Sequence, residues 1–99
     1  MFARVSTYEG SPDHTAEGLR VAREQILPAA KLMDGFKGIY LLYDRESAKS
    51  LSLTLWETEA DMRASEEAAN RVRARSAKVS GEKVINVERY EVALQTLVD

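Results

Sequence analysis

The chain has no cysteine, so its 99 residues hold no disulfide framework, no thiolate nucleophile and no thiolate metal site, as suits a reducing compartment. Its single histidine, His14, rules out an imidazole cluster, and no Ser/His/Asp, paired-carboxylate, metal or phosphate-loop constellation is present. An excess of charge of one sign is also missing. Fourteen basic and 16 acidic residues give a net charge of −2, which offers no electrostatic footprint for nucleic acid or an anionic membrane. Long apolar runs are absent too, and the start MFARVSTYEG lacks an apolar signal core and a basic lead-in. These absences lead us to expect a cytoplasmic protein with no nucleic-acid or membrane partner. The length implies one domain, residues 1–99, which buries only about 60–65% of its unfolded surface and would gain from oligomerisation.

The most informative stretch is Ser50 to Asp61, SLSLTLWETEAD. Leu51, Leu53 and Leu55 alternate with Ser52, Thr54 and Trp56, the period of a strand with two unlike faces. One face is apolar. The other carries hydroxyls and the only Trp, a composition closer to a cavity wall than to a packed core. Thr58 and Asp61 follow in capping-box spacing and predict a helix start. From this pattern the leucine face is expected to hold the helices, and any activity is expected on the Thr54/Trp56 face.

The rest of the chain reads around that strand. Phe2–Tyr8 is a first strand, and Ser11–Pro12 with Asp13 is a helix start. Leu19, Ala22, Ile26, Ala29 and Met33 form a helical stripe interrupted by Pro28, which predicts a kink near Glu24–Leu27 or two shorter helices. Gly35 ends it and Phe36–Tyr43 is a second strand. Asp44–Lys49 is a turn; an even loop length puts Leu42 beside Leu51 and Tyr40 beside Leu53, with Ile39, Leu41 and Tyr43 on the Thr54/Trp56 side. A helix from Glu59 to about Val79 has a stripe of Met62, Ser65, Ala69, Val72 and Ser76. Its Arg63, Glu66, Glu67, Arg71, Arg73, Arg75 and Lys78 read as a solvated face. Gly81 ends it, and Lys83–Leu94 is a fourth strand. The order β-α-β-β-α-β is the ferredoxin-like pattern: an α+β fold with a four-stranded antiparallel sheet and both helices on one face.

With this layout, the passage ILPAAKLMDGFKG before the second strand and LTLWETEADMRAS after the third make the chain resemble the antibiotic biosynthesis monooxygenase-like domains of the dimeric α+β barrel superfamily. The resemblance covers nearly the whole chain. It implies a homodimer joined through open sheet faces into a barrel, here the face with Tyr8, Ile39, Leu41 and Trp56; Leu94, Leu97 and Val98, too apolar for a free end, are expected to carry the fourth strand or its extension over the partner. It also implies oxidation of an aromatic or quinone-like compound without metal or flavin, so no cofactor and no metal are expected. The haem-degrading relatives carry a second Trp and a His where this chain has Ser65 and Arg75, which disfavours haem chemistry; His14 reads as a surface residue.

In that framework Thr54, Trp56, Ile39 and Leu41 are the candidate substrate-binding residues, and Trp56 either stacks on a ligand or plugs the core. The candidate catalytic residues are Arg4, for an anion, and Tyr8, Tyr43 and Tyr90, for a proton relay. An ion pair of Arg4 with Glu88 or Glu91 competes with a catalytic role. A non-catalytic dimeric module that binds a small ligand, or serves a structural or regulatory role, is the alternative.

Overall fold

Two strands of alternating character sit at the centre of the sheet: β1, Phe2–Glu9, and β3, Lys49–Trp56. Their antiparallel ladder sets Arg4 opposite Thr54 and Phe2 opposite Trp56. β2 (Phe36–Asp44) pairs with the far side of β3 and β4 (Lys83–Glu91) with the far side of β1, giving the order β2-β3-β1-β4 with every pair antiparallel. This is the expected ferredoxin-like sheet. The computed structural model describes residues 1–10, 15–81 and 83–98; the helix start read at Ser11–Pro12, with Asp13 and His14, lies outside the described residues.

Residues 45–48 join β2 to β3, and the Ala48 N–H donates to Asp44 O at 2.9 Å while Ala48 takes φ 62°. The even loop gives the expected register. Leu42 faces Leu51, Tyr40 faces Leu53, and Ile39, Leu41 and Tyr43 share a face with Thr54 and Trp56. β4 ends at Glu91 rather than Leu94, and the Val92 N–H donates to Met1 O at 2.9 Å before the chain leaves the sheet.

The first helical layer is broken where Pro28 predicts. α1 (Thr15–Val21) passes through a π-helical turn, Ala22–Ile26, into α2 (Leu27–Lys31), whose first turn holds Pro28. The Leu27 N–H donates to Ala22 O, five residues back. Widening the helix by one residue lets the proline, which has no N–H, start a new segment instead of clashing inside an old one. The second layer is also two pieces, α3 (Glu59–Ala64) and α4 (Glu66–Ser80), and not the one helix expected. Thr58 Oγ1 accepts from the Asp61 N–H at 3.1 Å, the N-cap read from the sequence.

The helices cover the face opposite to the expected one. α3 and α4 reach β1 through Arg4, and Gly18, Ala22, Ala30 and Ala69 lie over Ser6, Ser52 and Thr54. The leucine face is the open one. Val5, Leu51 and Leu53 are partly exposed there, and Tyr40, Leu42 and Tyr90 are about half exposed. The reason is electrostatic and steric together. The Arg4 guanidinium needs the carbonyl, hydroxyl and carboxylate that α3 and α4 supply, and small helix residues leave room for the larger side chains of the Thr54/Trp56 face.

Candidate functional site

Arg4 is 3% exposed and fixes the centre of the site. Its Nη1 donates to Met62 O at 3.1 Å and to Ser65 Oγ at 3.0 Å, and lies 3.4 Å from Glu66 Oε1. Ser65 Oγ donates in turn to Met62 O at 2.7 Å. Arg4 therefore occupies the joint between α3 and α4, which accounts for the break in that helix. Glu66 also accepts from Arg89 Nη2 at 2.8 Å. The ion-pair partner of Arg4 is thus Glu66 and not Glu88 or Glu91; Glu88 stands opposite Val5 and belongs to the open face. Burial holds the Arg4 guanidinium below its usual value despite the attraction of Glu66. Glu66 is held below the ordinary carboxylate range, chiefly by the hydrogen bond from Arg89.

The same guanidinium sits over Trp56, 5.3 Å from the ring centroid. Phe36 meets the indole edge-on with centroids 5.5 Å apart. Trp56 Nε1 donates to Thr54 Oγ1 at 3.0 Å. Trp56 is 1% exposed and still borders the cavity, so it is both packed and wall. Thr54 spends one lone pair on the indole and positions it, leaving one acceptor site for anything else.

Between the sheet and the helices lies a cavity of about 80 Å³. That volume holds on the order of five waters or one small ring before any helix moves. The sheet contributes Arg4, Ser6, Tyr8, Tyr43, Ser52 and Thr54 to its wall, the helical segments contribute Ile26, Val72 and Arg73, and the turn after α2 contributes Met33. Of the residues anticipated from sequence, Arg4, Tyr8, Tyr43, Leu41, Thr54 and Trp56 come together here. Ile39, opposite Thr54, stays outside the wall, and Tyr90 lies on the open face, where its hydroxyl donates to Glu88. Among the described residues no carboxylate and no imidazole lines the cavity.

Two members escaped the sequence reading. Glu66 and Arg73 were assigned to the solvated face of the helix, yet Glu66 is an internal partner and Arg73 is 8% exposed. Their spacing held the signal: Arg73 is four residues after Ala69 and seven after Glu66, which places all three on one helix face.

No protein-family model matches the chain. The uncharacterised protein Rv2558 of Mycobacterium tuberculosis H37Rv is 34% identical over 94 residues, covering 95% of this chain and 39% of that protein. The uncharacterised Rv2557 of the same strain is 33% identical over 93 residues, covering 94% and 41%. The chain thus spans about two fifths of the length of the curated relatives it matches. Among solved structures, a candidate antibiotic biosynthesis monooxygenase of Deinococcus radiodurans superposes with TM-score 0.72 at 18% identity, over 100% of this chain and 99% of that one. The monooxygenase ActVA-Orf6 of Streptomyces coelicolor, in complex with nanaomycin D, gives 0.70 at 14% identity over 97% and 92%. A variant of the cofactor-independent oxygenase SnoaB of Streptomyces nogalater gives 0.71 at 16% identity over 99% and 97%.

Proposed function

We propose that this chain, which has the fold of the antibiotic biosynthesis monooxygenases, binds a small aromatic or quinone-like compound between its sheet and helices and oxidises it with dioxygen and no cofactor. The observation that supports this most is the cavity itself. A strand face of hydroxyls, two phenols and one indole lies beneath small helix residues, which is poor packing for a core and good lining for a ring with polar substituents. Trp56, fixed by Arg4, Phe36 and Thr54, offers the ring a rigid aromatic wall. Thr54, Leu41 and Trp56 would contact the substrate.

The chemistry asked of the site is modest. A phenol or activated methylene loses a proton, the resulting anion gives electrons to dioxygen, and one oxygen atom enters the product while the other leaves as water: R₂CH₂ + O₂ → R₂C=O + H₂O. Tyr8 and Tyr43 line the cavity and would move the proton, and the cations beside them would hold the anion. The leucine face supports a second part of the reading, a homodimer. Tyr40, Leu42 and Tyr90 are exposed on it, and a second copy of the same face would cover about 2,000 Å² in total.

A binding module without catalysis is the second reading, favoured by the lack of a carboxylate or imidazole base in the wall among the described residues. One experiment separates the readings. Trp56 emission is titrated with 1,4-naphthoquinone and with anthrone, and oxygen uptake is followed with anthrone. Saturable quenching with oxygen uptake above the buffer rate supports the oxygenase; quenching without uptake leaves the module. Absence of any emission change would remove both.

A further inference from the structure

Arg73 is a second buried guanidinium, and unlike Arg4 it has no countercharge among the described residues. It is 8% exposed, borders the cavity, and its Nη2 donates to the neutral amide oxygen of Asn70. Among the described residues no carboxylate forms an ion pair with it. The carboxylate on that side, Glu66, is already committed to Arg4 and to Arg89. One carboxylate therefore serves two of the three guanidiniums, and Arg73 is the one left over. The positive charge of Arg73 is also felt by Arg4, whose own protonation it disfavours. An unpaired buried cation is costly, and proteins retain one where something of opposite charge arrives.

We propose that Arg73 is the counter-ion for a carboxylate on the ligand: the cavity takes an aromatic acid, its ring beside Trp56 and its carboxylate on the Arg73 guanidinium. The planar fork of an arginine matches a carboxylate with two parallel N–H···O bonds. The wall that Arg73 borders also holds Val72, Ile26 and Leu41, whose apolar surface suits a ring more than a sugar or an inorganic ion. This inference rests on the reading of the cavity as an aromatic site and adds the charge of what enters it.

The test compares two probes of one shape, 2-naphthoate and the neutral 2-naphthamide, by calorimetric titration of the wild type, Arg73→Gln and Arg73→Lys. The wild type is expected to bind naphthoate at least tenfold more tightly than naphthamide. In Arg73→Gln the preference should fall to within about threefold through loss of naphthoate affinity, and Arg73→Lys should keep part of it. Because the unliganded wild type bears an uncompensated charge, Arg73→Met without ligand should melt no lower than wild type. Equal affinity for the two probes in wild type would overturn the proposal and leave the aromatic site standing. A preference that survives Arg73→Gln would overturn the role of Arg73, and binding of neither probe would overturn both the proposal and the aromatic site. Should Arg73→Gln fail to fold, the wild-type ratio and Arg73→Lys decide the matter.

Discussion

Replacing Glu66 by alanine isolates the cost of the buried Arg4 charge. The magnitude follows from Arg4, which is 3% exposed and has no other carboxylate within ion-pair distance among the described residues. Breaking a buried ion pair by removing one partner costs about 3–5 kcal/mol, because the survivor is left uncompensated. Here Arg4 keeps Met62 O, Ser65 Oγ and the Trp56 ring, and the Glu66 side chain is 20% exposed, so water partly replaces it. The expected loss is therefore about 2–3 kcal/mol, or roughly 10–20 °C in Tm for a domain of this size. Losing Arg89 as a partner adds little, since that pair is near the surface.

The assay is urea unfolding followed by Trp56 emission and circular dichroism at one fixed protomer concentration. Adding Arg4→Met to Glu66→Ala removes the stranded charge, so the double variant should be more stable than Glu66→Ala alone. Titration gives an independent check. The folded Glu66 carboxyl lies below its ordinary value, so the folded protein binds fewer protons there than the unfolded one. Its stabilisation is complete above the unfolded carboxylate range, near pH 4.3, and is lost as pH falls through the folded value. The gap between wild type and Glu66→Gln should accordingly be full at pH 7 and close in strong acid. A loss under about 1 kcal/mol, or a double variant as weak as the sum of the singles, would refute the reasoning.

Gly35→Ala should cost about 2–4 kcal/mol, since residue 35 has φ 75° and its new Cβ would run into the Asp61 side chain; adding Asp61→Ala should recover only part of the loss, because the Asp61 Cβ, 2.7 Å away, stays and so does the backbone strain, which chemical denaturation of the three variants resolves. Thr58→Ala removes the α3 cap and should cost about 1 kcal/mol by the same method. Trp56→Ala, stripping a residue 1% exposed, should cost about 3–5 kcal/mol, so Trp56→Phe is the variant in which calorimetric loss of ligand affinity is readable apart from unfolding. If two copies meet through the leucine face, Leu42→Arg should give monomers in sedimentation with helix content unchanged; an intact dimer would place the interface elsewhere.

Much of the fold was legible because it depends on local rules. Period two in SLSLTLW marks a strand, an even turn sets the register of Leu42 against Leu51, Pro28 forces a break, and Thr58 announces a helix start. The choice of face was not legible in the same way. Alternation says that two faces differ and is silent on which one the helices cover. Hydrophobicity pointed to Leu51 and Leu53, but what decides the packing is that Arg4, on the other face, cannot be buried without the groups around residues 62–66. That dependence joins residues far apart in the chain, and no window along the sequence contains it.

The site was missed in part for the opposite reason: its charges were visible but weighed as surface. Arg73 and Glu66 share the inner stripe of their helix with Ala69, and a charge on an inner stripe is more informative than an apolar residue there. The same holds for Ser6, Ser50 and Ser52, three hydroxyls on a strand face that helices cover, two of them almost wholly buried. Hydroxyls and guanidiniums under a helix layer cost stability unless they meet partners, and an apolar substitution at each would be better for the fold alone. That they stand together around one cavity, while the face with the better core residues is left open, is the reason to look for the ligand inside this subunit and for the second copy outside it.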